Sequence, residues 1–121
     1  MPVDKLLVKQ RLTMIGQYLF ELEILAELPK TEFLETRTAA AAESFLRRSL
    51  EAIFDIGRHI LAKNNVFNMA LEYKGIAQGL SEQGIITEEL KEQLIKMAGY
   101  RNRLVHLYHQ VSNEELFEMI T

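Results

Sequence analysis

The chain has no cysteine among its 121 residues. That excludes a disulfide framework and a thiolate zinc site, and it fits a cytoplasmic setting. Proline is scarce too, with only Pro2 and Pro29. Uninterrupted apolar runs reach only a few residues, far short of the ~20 needed to span a bilayer, so no membrane partner is expected. The opening "MPVDKLLVKQRL" has no signal-peptide core, and no secretory leader is expected. Excess positive charge is also missing. The net charge is −3 and the isoelectric point about 5.6. Proteins that hold nucleic acid by bulk electrostatics are more often basic. Any RNA contact must therefore come from a local patch, and DNA is not an expected partner. There is no glycine-rich phosphate loop and no HExxH-type ligand spacing, so neither a cofactor nor a metal is expected.

What is present is the composition of a globular protein: 48% of residues are apolar and 26% charged. The length suits one domain, residues 1–121, around one core. No segment alternates with period two, which predicts an all-α chain.

The spacing predicts a first helix over residues 3–28, with Val8, Leu12, Ile15, Leu19, Leu22 and Ala26 on one face. Leu7, Met14, Tyr18 and Leu25 form its shoulder, and Pro29 ends it. A second helix runs from Thr31 or Thr36 to Lys63. It carries one stripe through Leu34, Ala41, Phe45, Ala52, Ile56 and Ile60, and a second through Leu46, Leu50, Ile53 and Leu61. So wide an apolar arc belongs to a helix central in the fold, or to one that buries a face in a partner subunit. Gly57 on the second face allows close helix approach. A weaker helix over 67–83 carries Met69, Ala70, Tyr73, Ile76 and Leu80, with Gly84 as its C-terminal cap. Thr87 caps a helix reaching about His109, with Glu88 and Glu89 in its first turn. "SNEE", 112–115, reads as a capping box for a short last helix.

The stretch "MAGYRNRLVHLYH", 97–109, breaks the apolar rhythm. Leu90, Leu94, Met97, Arg101, Leu104 and Tyr108 fall within ~40° of one line, so Arg101 stands where a leucine would be the default. A guanidinium in that position needs a partner or a cleft. Asn102 and His106 lie one turn apart on another face, and Arg103 on a third. Arg101 and His106 point ~140° apart on an ideal helix. They converge if the helix loosens or if two copies meet across a dimer axis, and a homodimer is expected on this ground and on the doubly apolar second helix.

An imidazole, a guanidinium, a carboxamide and a phenol suit metal-free phosphodiester cleavage. Histidine exchanges protons near neutrality and can act on an RNA 2′-hydroxyl or on the leaving oxygen. Arginine holds phosphate bidentately and stabilises charge building on it. Asn102 can orient His106 or the scissile group. Pattern alone leaves a plainer reading open, in which Arg and His near a helix C-terminus complement the dipole.

"RNRLVHLY" matches Arg-x4-His-x-Tyr, with Arg101, His106 and Tyr108 in place and Asn102 after the arginine. This resembles the HEPN superfamily, in particular its HepT-like toxin family. The stretches "SFLRRSLEAIFDIGRHILAK", "YKGIAQGLSEQGIIT" and "LKEQLIKMAGYRNRLVHLYHQV" resemble the same family, so the likeness covers nearly the whole chain. It implies an up-and-down four-helix bundle with an extra short C-terminal helix. It also implies a homodimer with both motifs lining one cleft, and metal-independent endoribonuclease activity on RNA in a toxin–antitoxin pair. The partner implied is a nucleotidyltransferase of the MNT type that attaches AMP to Tyr108. A phosphate-bearing group there would block the cleft and neutralise Arg101. The contrasting expectation is a non-catalytic helical module that binds nucleotide or partners a nucleotidyltransferase.

Other residues are supporting candidates. Glu51 and Asp55 could hold the Arg101 fork, Asp55 being the better placed because it borders the first stripe of its helix. The alternative for both is surface pairing along the helix, Asp55 with Arg58 or His59 and Glu51 with Arg48. Tyr100 and Arg103 could contact RNA by stacking or phosphate pairing, with packing or solvation as the alternative. His59 reads as a core-edge histidine and His109 as solvent-facing.

Overall fold

The computed structural model describes residues 3–64, 72–106 and 110–121. It is all-α, with six helices and no strand among the described residues.

Helix α1 spans Lys5–Ala26. Asp4 caps it, its carboxylate accepting from the Leu7 amide at 3.1 Å. The Asp4 amide donates to His59 Nε2 at 2.9 Å, which ties the start of α1 to the far half of the third helix. Pro29 then opens a single turn, α2 (Lys30–Phe33). Phe33 at its end is wholly buried and packs against Phe117, ring centres 4.8 Å apart.

Helix α3 (Thr36–Lys63) is the spine. Its 28 residues make a rod of ~42 Å, and it touches each of the other five helices. Leu50 joins Phe33, Leu104 and Leu116 in one core cluster. Phe54 and Leu61 join Ile76, Leu80 and Ala98 in another. The breadth of its apolar surface is thus used within one chain: α1 covers one face, and the later helices cover the other. That removes one of the two sequence grounds for a dimer. A Cβ at Gly57 would stand 2.6 Å from Ile76 Cγ2, so the missing side chain lets the fourth helix lie directly on α3.

Helix α4 covers Tyr73–Glu82. The expected start near residue 67, with Met69 and Ala70, falls outside the described residues. Gly84 closes α4 with φ +71°. The Gly84 amide bonds to the Ser81 carbonyl and the Ile85 amide to the Leu80 carbonyl, the paired bonds of a Schellman cap. Helix α5 (Glu88–His106) starts at Thr87, whose hydroxyl accepts from the Leu90 amide. Residues 107–109, where the sequence pattern carried this helix on, lie outside the described residues. Helix α6 (Asn113–Ile120) is capped by the Ser112 hydroxyl, which accepts from the Glu115 amide. The reciprocal half of the expected capping box is replaced, because the Glu115 carboxylate binds Arg103 instead.

One face is corrected by the structure. Leu12 and Leu19, expected to point inward from α1, are 57% and 47% exposed. The inward arc is rotated toward the expected shoulder, through Tyr18, Leu22 and Leu25. Helix α1 is apolar over much of its circumference, so periodicity alone does not select a face. Among the described residues, no helix is long and apolar enough to cross a membrane.

Candidate active site

Arg101 lies in the inward stripe of α5, its side chain only 15% exposed. The arc that holds it buries Leu94, Ala98 and Leu104, so this guanidinium is set among core residues. Its surroundings are aromatic more than acidic. The guanidinium carbon stands 4.1 Å from the centre of the Tyr73 ring. Nη2 is 3.9 Å from Glu51 Oε1, a loose ion pair, and Nη1 donates to Asn102 Oδ1 at 3.4 Å. Nε is buried without a hydrogen-bond partner among the described residues.

Tyr73 is fixed in turn. It is the first residue of α4, and its ring meets Phe54 of α3 edge-on at 5.0 Å. The Arg58 guanidinium also approaches this ring, at 5.3 Å. By its spacing in the sequence Tyr73 is only one more apolar residue of a helix. Nothing in a linear pattern links it to an arginine 28 positions later.

Of the two candidate carboxylates, Glu51 reaches Arg101. Asp55 instead pairs with Arg11 at 3.6 Å and Arg58 at 3.8 Å, which corrects the expected preference. The stripe that Asp55 borders packs against α1. Arg101 approaches from the opposite side of α3, which Glu51 flanks.

An open cleft of about 740 Å³ runs over this part of α5 and the start of α4. It is lined by Glu72, Tyr73, Lys74, Ala98, Gly99, Arg101, Asn102, Arg103 and His106. Arg101 forms its buried edge, and Gly99, Asn102 and His106 its exposed floor. The helix is unbroken between Arg101 and His106, so no local loosening turns one toward the other. Among the described residues nothing lies within 4 Å of a would-be Cβ at Gly99, so their packing does not demand a glycine there. Tyr108 and His109 lie outside the described residues.

Arg103 borders the cleft, but Glu115 takes its guanidinium in a bidentate pair, with Nη2–Oε1 at 2.9 Å. Hydrogen bonding to Arg103 holds the Glu115 carboxyl below the usual range, and the same bond raises the arginine. This pair joins the end of α5 to the first turn of α6. Tyr100 does not line the cleft. It packs on the core cluster around Leu104, with Lys96 Nζ 5.8 Å from its ring.

A family model described as Ribonuclease HepT-like matches residues 15–121. The chain belongs to the HepT-like ribonuclease family. This HepT-like chain is 28% identical over 120 residues to a protein of Aphanizomenon flos-aquae named "tRNA nuclease HepT", across 98% of the chain and 81% of that relative. It is also 35% identical over 92 residues to a protein of Archaeoglobus fulgidus named "Putative RNase", covering 76% and 67% of the two. The matched region of the family includes the whole cleft.

Proposed function

We propose that this HepT-like protein is an endoribonuclease toxin that cleaves RNA, with tRNA as the substrate class, by metal-independent acid–base chemistry. The observation that carries the reading is Arg101: a charged side chain built into a core stripe, braced by an aromatic ring, at the edge of a cleft that also holds His106 and Asn102. Burial of that charge costs stability, and phosphate binding supplies a reason for it. Arg101 holds the scissile phosphate and stabilises charge that develops on it. His106 moves the proton of the 2′-hydroxyl or of the leaving oxygen. Asn102, one turn before His106, orients the reacting group. The tRNA assignment draws on the name of the Aphanizomenon flos-aquae relative.

A second copy completes the cleft in this reading. Within one chain Arg101 stands at the inner edge of the cleft and His106 on its open floor, and in this reading two such clefts face each other across the axis of a homodimer. The partner in the cell is an MNT-type nucleotidyltransferase that transfers AMP to Tyr108, and the bulky anion then occupies the place of the RNA phosphate. The protein acts in the cytoplasm, where its RNA is.

The test is His106→Ala beside the wild-type protein. The expected variant is a folded dimer with normal helical content that no longer cleaves tRNA or arrests growth. Cleavage at the wild-type rate would overturn the assignment.

A further inference from the structure

Five of the seven large apolar residues that the described structure leaves exposed lie on α1: Leu6, Leu12, Leu19, Phe20 and Ile24. This surface is remote from the motif cleft. Helix α1 packs against α3 and α6, whereas the cleft belongs to α4 and α5.

The order of residues on that outer face is self-complementary. Taking ~100° per residue, Lys5, Lys9, Leu12, Gly16, Phe20, Glu23 and Glu27 fall within ~80° of arc. They are symmetric about Gly16, with bases before it and acids after it. Leu12 and Phe20 are four residues either side, Lys9 and Glu23 seven, and Lys5 and Glu27 eleven. The four charged residues are exposed, and none has an ion pair within the described residues. Among the described residues nothing lies within 4 Å of a Cβ at Gly16, and a groove of about 640 Å³ opens beside it between Phe20 and Phe45.

We infer that α1 is a second self-association surface, on which two copies cross antiparallel at Gly16. A two-fold axis there sets each residue against its mirror position: Leu12 against the partner's Phe20, Lys9 against the partner's Glu23 and Lys5 against the partner's Glu27. The absent side chain lets the backbones approach. At a crossing angle near ~20°, Lys9 and Glu23 sit ~10 Å along the helix from the axis, within reach of long side chains. The parallel arrangement would set lysine against lysine and glutamate against glutamate, which fixes the direction. On the homodimer reading proposed above, this separate contact joins two dimers into a tetramer whose two-fold axes are perpendicular.

Charge swapping tests it. Wild type, Lys9→Glu, Glu23→Lys and the double variant are compared by sedimentation equilibrium, with helical content checked by circular dichroism. The expected result is that each single reversal halves the particle mass and the double variant restores it, since Lys9→Glu then faces Glu23→Lys. Phe20→Asp should halve the mass without rescue. A Gly16→Cys variant, in a chain with no other cysteine, should oxidise to a disulfide-linked dimer, while Gln10→Cys on the flank of α1 should not. A mass unchanged by every substitution, or equal crosslinking at both cysteines, would overturn the proposal. The nuclease assay is independent of all these readouts.

Discussion

The Arg101 guanidinium carbon lies 4.1 Å from the centre of the Tyr73 ring, across the gap between α5 and α4. Face-on contact of this kind is worth ~0.5–2 kcal/mol, depending on how far the cation is desolvated. Here it also sets the plane of the fork, since the carboxylate nearest to it, Glu51, is too far for a hydrogen bond. Tyr73→Leu is therefore expected to reduce kcat/KM for RNA about tenfold, in line with that range, while Tyr73→Phe keeps most of the wild-type value. Single-turnover cleavage by the three proteins checks this. Equal loss in Phe and Leu would shift the role from the ring face to the phenol oxygen.

Gly99 separates stability from activity. In the middle of a helix, glycine costs ~0.5–1 kcal/mol relative to alanine, and no neighbour among the described residues opposes a Cβ there. Gly99→Ala should raise the melting temperature by a few degrees. Gly99→Leu, projecting into the cleft floor beside Asn102 and His106, should weaken binding of a non-cleavable RNA without unfolding the protein. Unchanged RNA affinity in Gly99→Leu would show that nothing approaches that floor closely.

The opposite outcome is expected at Gly57. A Cβ there would press on Ile76 Cγ2 at 2.6 Å and Leu80 Cδ1 at 3.1 Å, so α4 would have to move away from α3. Overpacking of this size costs ~1–3 kcal/mol. Thermal or urea unfolding of Gly57→Ala measures it, and cleavage should fall as well because α4 carries Tyr73.

The Arg103–Glu115 pair gives stability a pH dependence of known sign. The Glu115 carboxyl is held below its ordinary value of 4.5 in the folded protein. Its contribution is therefore complete above that value and disappears as pH falls through the lowered one. Melting temperatures of wild type and Glu115→Gln should differ near pH 6 and converge in acid. A gap that persists at the lowest pH would show that the carboxylate charge is not what joins α5 to α6.

The sequence was legible where its pattern has a local cause. The Gly84 and Ser112 caps, the Thr87 start and the close approach at Gly57 all follow from what individual residues permit. The place of Arg101 in a core stripe followed from helical spacing, and its membership of the HepT-like family from "RNRLVHLY" in context. Legibility stopped where position depends on which helix lies opposite. The inward face of α1 could not be chosen because leucine and isoleucine surround it. Glu51 and Asp55 could not be ranked because their order depends on which side of α3 receives α5. Tyr73 was invisible as a site residue because the contact that matters joins two helices.

Cleavage of tRNA in the presence of EDTA, with the fragment ends identified, is the most direct measurement of the central claim that Arg101 and His106 form a ribonuclease centre. The expected result is cleavage by the wild-type protein without added metal, leaving 2′,3′-cyclic phosphate ends as attack by the 2′-hydroxyl requires, and none by Arg101→Ala or His106→Ala. No cleavage by wild type, or cleavage by either variant at the wild-type rate, would contradict it.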